Sequence, residues 1–169
     1  IRSERDDVVS PFVNKLQLDW EFVELTQDFS EIRGVLNEML REPVRDLVAG
    51  GFLASADLSK LSSRSLLEAR PRILAATKTD KTAYQSLSSH AKAMNLIHAL
   101  GLLESQGISS LKTFFESLRL RKAKSKAAIA IASDFRTAKI LEKCKVLQAA
   151  GVEHPKQPRL AQIVSSATS

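Results

Sequence analysis

Basic side chains dominate one segment of the chain, and they could bind an anionic partner by charge. Between residues 112 and 145 there are ten lysines and arginines against three acidic residues. Such a track of positive charge can neutralise the phosphates of a nucleic-acid backbone, and the release of counterions then favours binding. The predicted DNA-binding residues are Lys112, Arg119, Arg121, Lys122, Lys124, Lys126, Arg136, Lys139, Lys143 and Lys145.

The run from Arg119 to Lys126 contains no aromatic residue. It therefore favours contacts with the backbone or the shape of a nucleic acid over base stacking. Taken by itself, this run is explained equally well as a solvated linker between two helices. A membrane-surface segment fits less well, because bulky apolar residues are missing from its other face.

The charge of the whole chain is divided unevenly between its two halves. Residues 1–80 carry 11 basic and 14 acidic side chains, whereas residues 81–169 carry 14 basic and 5 acidic ones. This asymmetry indicates that the second half meets an anionic partner. A charge excess that serves only solubility is the alternative.

Other kinds of chemistry are not indicated. The sequence has neither a GxxxxGK[ST] phosphate-binding loop nor a GxGxxG motif. One cysteine and three scattered histidines do not form a zinc motif. Lys143 and Lys145 could lower the pKa of the Cys144 thiol, but no partner base is evident. We therefore predict no catalytic residue, metal, cofactor or small-molecule substrate for this chain.

The cellular setting follows from the same residues. A single cysteine excludes a disulfide framework and favours a reducing interior. The apolar stretch from Ala127 to Ala132 is too short to cross a bilayer. We expect a cytoplasmic, nucleoid-associated protein with no membrane partner.

Helices are expected to position the basic segment, because leucine and alanine are abundant while glycine and proline are sparse. Ser30 is a candidate N-cap for a first helix that Gly50 and Gly51 end. Residues 81–106 are predicted to form the longest helix, with His98 buried on its apolar stripe. Asp134 is a candidate N-cap for a helix ending at Gly151. The expected fold class is all-α.

One strand is predicted near the start of the chain. Leu16, Leu18, Trp20 and Phe22 alternate with polar residues, and this period of two is typical of a strand. A single strand cannot form a sheet, so it must pair outside this chain, pair with a copy of itself, or remain unpaired.

Three motifs resemble archaeal Hef helicases and their eukaryotic relatives, the Fanconi anaemia M protein and the Mph-type helicases. The main motif is His98-Ala-Leu100 with Leu103-Glu104 and Gln106-Gly107, leading into Leu111. A second is Gly-Val-Glu-His-Pro-Lys at residues 151–156, and a third covers residues 8–25. Gln157, Pro158 and the compact alanine-rich stretch before Asp134 depart from the family pattern.

The resemblance implies a thumb-like helical insert between two helicase motor domains that recognises forked or branched DNA in replication-fork repair. Residues 1–28 would be an extended arm leaving the first motor domain, and residues 29–169 the insert. ATP and magnesium would belong to the flanking domains, which would be partners of this chain. The fragment alone is therefore expected not to be an enzyme, although its parent resembles an ATP-dependent superfamily 2 DNA helicase, in some members with a nuclease domain.

A second function remains open at this point. The insert could instead be a structural or protein-docking module that holds the two motor domains in register. Its basic face would then meet an acidic protein surface. Salt dependence and competition by DNA distinguish this module from a DNA-binding insert.

Overall fold

A computed structural model describes residues 20–120 and 125–167, which contain seven α-helices and no strand. The all-α prediction is thus confirmed. The helices are α1 (Gln27–Ala49), α2 (Ser63–Ala76), α3 (Ala83–Ser105), α4 (Ile108–Leu120), α5 (Lys126–Ser133), α6 (Phe135–Ala149) and α7 (Lys156–Ala167). Residues 20–26 are extended without strand pairing, whereas residues 1–19, with most of the predicted strand and arm, lie outside the described residues.

The first helix begins earlier than the sequence suggests. Thr26, not Ser30, occupies the N-cap position of α1. Pro43 lies inside the helix and is buried, although proline cannot donate the usual backbone hydrogen bond. The buried face contains Phe29, Leu36 and Leu47 at helical spacing and packs against α3.

Helix α3 is the centre of the bundle, because it contacts α1, α2, α4 and α5. Its buried positions alternate small and large side chains, with Ala93 and Ala99 next to Leu96 and Leu103. Small residues let neighbouring helices approach closely while the leucines fill the space between them. Packing of this kind gives the basic segment a rigid support.

The histidine prediction on α3 is wrong. His98 is exposed and meets the Phe114 ring edge-on, with the ring centroids 5.0 Å apart. The buried histidine of this helix is His90, whose Nε2 lies 2.8 Å from the carbonyl oxygen of Leu66. The two residues are eight positions apart, which places them about 80° apart around a helix with about 3.6 residues per turn, and both fall within a wide apolar stripe.

Helices α4, α5 and α6 form the second half of the bundle. Gly107, with φ of 88°, makes the turn into α4, which starts at Ile108. Asp134 caps α6 as predicted, with its side chain accepting a hydrogen bond from the Arg136 amide at 2.9 Å. The Thr137 hydroxyl donates to the Ile131 carbonyl at 2.7 Å and fixes α5 against α6.

Candidate nucleic-acid interface

The basic segment lies on three successive helices. Seven of its ten predicted DNA-binding residues are described, whereas Arg121, Lys122 and Lys124 lie outside the described residues. Two of them lie on α4, one begins α5 and four lie on α6: Lys112, Arg119, Lys126, Arg136, Lys139, Lys143 and Lys145. The structure shows where these side chains lie, and contact with DNA stays a prediction for every one of them.

Three cations are exposed around α5. Arg119 lies in the last turn of α4, Lys126 is the first residue of α5, and Lys139 lies on α6. Within the described residues none of the three forms an ion pair. They are therefore available to an external anion, and we call them the free cations of this surface.

The position of Lys126 supports an anion-binding role. The first turn of a helix carries a partial positive charge and normally favours acidic side chains. In α5 that turn contains Lys126 and no acidic residue, and Ser125 caps it by accepting from the Ala128 amide at 3.2 Å. An anion held here would relieve the local repulsion and use both the lysine and the helix end.

Three other cations pair with acidic residues close in sequence. Arg136 holds Asp134 through several hydrogen bonds, including one of 2.6 Å from Nη2 to Oδ2. The hydrogen bonds from Arg136 lower the pKa of Asp134. Lys112 and Lys145 lie 3.5 Å from Glu116 and Glu142, respectively, and these pairs are partly exposed. Exposed pairs of this kind stabilise a protein little, so they could exchange partners with a phosphate.

Lys143 has a different role, because it joins α6 to α1. Its ammonium group binds the carboxylate of Glu31 and lies 3.0 Å from an oxygen of Asp28. The hydrogen bond from Lys143 lowers the pKa of Glu31. We therefore assign Lys143 mainly to the contact between the two helices.

The Lys143 contact predicts how stability changes with acidity. The pKa of Glu31 is lowered in the folded chain. The stability that its contact with Lys143 contributes is therefore fully present above pH 4.5, the ordinary pKa of this carboxyl group, and is lost as the pH falls through the lower pKa of the folded state. Lys143→Gln should therefore give a small loss of stability at neutral pH and a flatter acid dependence below pH 4.5. Urea midpoints along an acidic pH series measure both effects.

The control for this experiment is Lys145→Gln, which removes a lysine of the same helix that, within the described part of the chain, pairs with Glu142 alone. It should retain the acid dependence of the unmodified chain. Parallel curves for Lys143→Gln and the unmodified chain would contradict the assignment of Lys143 to the α1 contact.

Lys145 lies on another side of α6 from the rest of the set. Arg136, Lys139 and Lys143 are three, four and seven residues apart and share one face. Lys145 follows Arg136 by nine residues, which is roughly half a rotation away at about 3.6 residues per turn. A single flat ligand could not contact all four α6 cations at once.

A shallow groove runs beside the free cations, lined by Arg119, Ile129, Ala132 and Ser133. Ile129 is half exposed, and Leu120 at the end of α4 is more exposed still. Phe135, which begins α6 two residues after Ser133, is also exposed. Counting charges did not identify these apolar residues. The position of an aromatic residue directly after the Asp134 cap could have pointed to Phe135.

Catalytic chemistry is not indicated by the cysteine. Burial raises the pKa of the Cys144 thiol to about 11, although the charge of Lys112 acts in the opposite direction. The expectation that Lys143 and Lys145 lower this pKa is wrong, because desolvation favours the neutral thiol. Across residues 20–120 and 125–167, no group of three or more His, Cys, Asp or Glu residues could hold a metal ion, and no helix is long and apolar enough to cross a membrane.

Comparisons with known proteins place this bundle in a helicase context. The family model described as "Putative ATP-dependent RNA helicase, helical bundle" matches residues 28–152. A Methanocaldococcus jannaschii protein with a corresponding helicase name is 29% identical over 167 residues, which is 98% of this chain and 20% of that protein. The crystal structure of the Pyrococcus furiosus Hef helicase domain matches with a TM-score of 0.80 and 31% identity, over 98% of this chain and 35% of that one.

The chain thus spans about a fifth of the length of the Methanocaldococcus protein and about a third of the Hef helicase domain. The agreement of fold and sequence confirms the resemblance stated above. Since the family model covers most of the helical bundle, from the start of α1 to the end of α6, the chain belongs to this helicase helical-bundle family and has the fold of the Hef-type insert.

Proposed function

We propose that this chain is the DNA-binding insert of an ATP-dependent helicase, and that it recognises forked or branched DNA in replication-fork repair. The observation that carries this proposal is the set of free cations, Arg119, Lys126 and Lys139, on the consecutive helices α4, α5 and α6. An internal ion pair would have reduced their value as phosphate ligands, and none is present among the described residues.

The insert and the motor domains of the parent protein would have separate roles. Its described residues offer charge and shape, whereas ATP and magnesium would be bound by motor domains of the parent protein. The insert would grip duplex DNA near a branch and orient it for those domains. Preference for a branch would come from shape, because two duplex arms can contact a surface that one arm touches only in part. Such a protein would reside in the cytoplasm at the nucleoid.

The family and one relative are named for RNA helicases. Phosphate contacts by lysine and arginine do not distinguish RNA from DNA, since both backbones carry the same charge. The distinction would come from helix shape and the 2′-hydroxyl. Forked RNA therefore belongs in the test as a competitor of forked DNA.

The test is a titration of this chain with labelled forked DNA at several salt concentrations. If the three free cations each neutralise one phosphate, log K should fall against log salt with a slope of about −3 or steeper, at about −0.9 per phosphate. Forked RNA of equal length should compete less well than forked DNA. Absence of DNA binding at near-physiological salt would contradict the proposal.

A second candidate function is docking between motor domains, and one feature favours it. Arg159 of α7 binds Glu21 of the extended segment at 2.6 Å, next to the exposed side chains of Trp20 and Leu160. Both of these exposed side chains are apolar, and the ion pair joins the two segments that carry them. If DNA binding fails while an isolated motor domain of the parent protein binds this chain through Trp20 and Leu160, the docking function is the better account.

A further inference from the structure

We propose that Phe135 is a stacking platform for an unpaired nucleobase at the branch of the DNA. This inference rests on the proposed function and deepens it, because it names a contact that distinguishes a branch from a continuous duplex. The basic run predicted contact with the nucleic-acid backbone and no stacking on the bases. The structure adds an aromatic side chain that lies outside that run.

Phe135 is exposed although phenylalanine usually belongs to the core. Its side chain is 66% exposed, whereas Phe29 and Phe115 are fully buried. The side of α6 that faces the bundle is already occupied by Ile140, Cys144 and other buried residues, so Phe135 points elsewhere. A single exposed apolar residue is ordinary, and the case therefore depends on its surroundings.

The backbone around Phe135 is fixed on both sides. Asp134 accepts a hydrogen bond from the Arg136 amide at 2.9 Å, and Thr137 donates to the Ile131 carbonyl at 2.7 Å. Thr137 is fully buried. The ring is therefore presented from a rigid helix start, which reduces the entropy lost when a ligand stacks on it.

Two cations lie over the ring. The Lys139 ammonium group lies 5.1 Å from the ring centroid and the Arg136 guanidinium carbon lies 5.9 Å from it. Both are within the range of about 6 Å for a cation–π contact. A nucleotide brings an aromatic face and a phosphate together. The ring would take the base when Lys139, which forms no ion pair among the described residues, moves from the ring to the phosphate, while Arg136 stays bound to Asp134.

Another exposed apolar side chain lies on the preceding helix, α5. Ile129 is 50% exposed in the groove that Arg119 also lines, and Ser133 of that groove precedes Phe135 by two residues. An acidic protein would use the cations but not the ring, whereas a nucleobase uses both. Bases inside a duplex have their faces covered by neighbours, so only an unstacked base at a branch or an end can meet Phe135.

The experiment uses forked DNA with 2-aminopurine at the branch, because the fluorescence of this base reports its stacking. Phe135→Leu keeps an apolar side chain but removes the aromatic face, and Phe135→Trp restores such a face. Tyr84→Leu is the matched control, since Tyr84 is an exposed aromatic residue on α3, two turns before Lys92. Each variant is first compared with the unmodified chain in urea unfolding.

We expect Phe135→Leu to bind forked DNA roughly tenfold more weakly, from the known cost of losing one base–aromatic stack. It should lose the branch-specific fluorescence change but keep the salt slope and the affinity for linear duplex. Phe135→Trp should restore affinity and fluorescence change, and Tyr84→Leu should alter neither.

Two results would overturn the inference in different ways. If Phe135→Leu binds the fork as tightly as the unmodified chain with the same fluorescence change, stacking by Phe135 is wrong while the proposed function stands. If the unmodified chain binds no forked DNA, the proposed function fails and this inference fails with it.

Discussion

Replacing the three free cations together, as Arg119→Gln, Lys126→Gln and Lys139→Gln, should weaken the binding of forked DNA by about a hundredfold or more at low salt. Each cation that neutralises a phosphate contributes about 0.9 to the slope of log K against log salt. The triple variant should therefore flatten that slope by up to about 3. None of the three is buried or ion-paired within the described residues, so folding should be preserved. Anisotropy titrations at four salt concentrations measure both quantities.

The control must remove the same charge from another part of the chain. Arg33 on α1 and Lys78 and Lys81 in the turn between α2 and α3 are also exposed. A triple Gln variant of these residues lowers the net charge equally. It should change affinity only slightly, through the general field of the protein. Equal losses in the two triple variants would show that net charge, not the surface around α5, attracts the DNA.

Phe29→Ala should lower the free energy of unfolding by about 3–5 kcal/mol, the usual cost of truncating a buried phenylalanine. Phe29 is 0% exposed, and its ring meets that of His154 edge-on with centroids 5.4 Å apart. His154 lies 3.1 Å from the Glu104 carbonyl and accepts a hydrogen bond from the Lys156 amide. The substitution would therefore loosen the start of α1 and the turn before α7 together. Urea unfolding gives the loss from the midpoint.

Phe22→Ala provides the matched comparison, because Phe22 lies a few residues earlier and is 90% exposed. Its removal should change stability by no more than about 0.5 kcal/mol. If both variants lost the same free energy, the packing of Phe29 against His154 would not be the source of the effect.

From the sequence alone, the presence of the helices was predicted better than the residues at which they begin and end. Apolar spacing identified α1 and α3, and the Asp134 cap was correct. The sequence favoured Ser30 as the first cap, whereas Thr26 occupies that position, and both carry a hydroxyl group that suits an N-cap. His98 was placed in the core for a related reason, since a position on the edge of an apolar stripe can face either the core or solvent.

The sequence predicted the site as a basic segment of the chain, but not which of its side chains share one surface of the fold. Charge counting identified the basic residues, but it could not show that Lys143 reaches Asp28 and Glu31 on a helix more than a hundred residues earlier. Long-range ion pairs depend on the tertiary fold, which local spacing does not encode. Phe135 was missed because it is the first residue of α6 and lies outside the basic run. Its exposure became visible only when the buried face of α6 was known.

The most direct test of branch recognition is a competition experiment with labelled forked DNA bound to this chain. Unlabelled fork and linear duplex with the same number of phosphates are the competitors, at one near-physiological salt concentration. Matching the phosphates removes the charge contribution that all DNA shares. We predict that the fork displaces the label at a concentration at least about tenfold lower than the duplex, a specificity of about 1.4 kcal/mol. Equal displacement by the two competitors would contradict branch recognition.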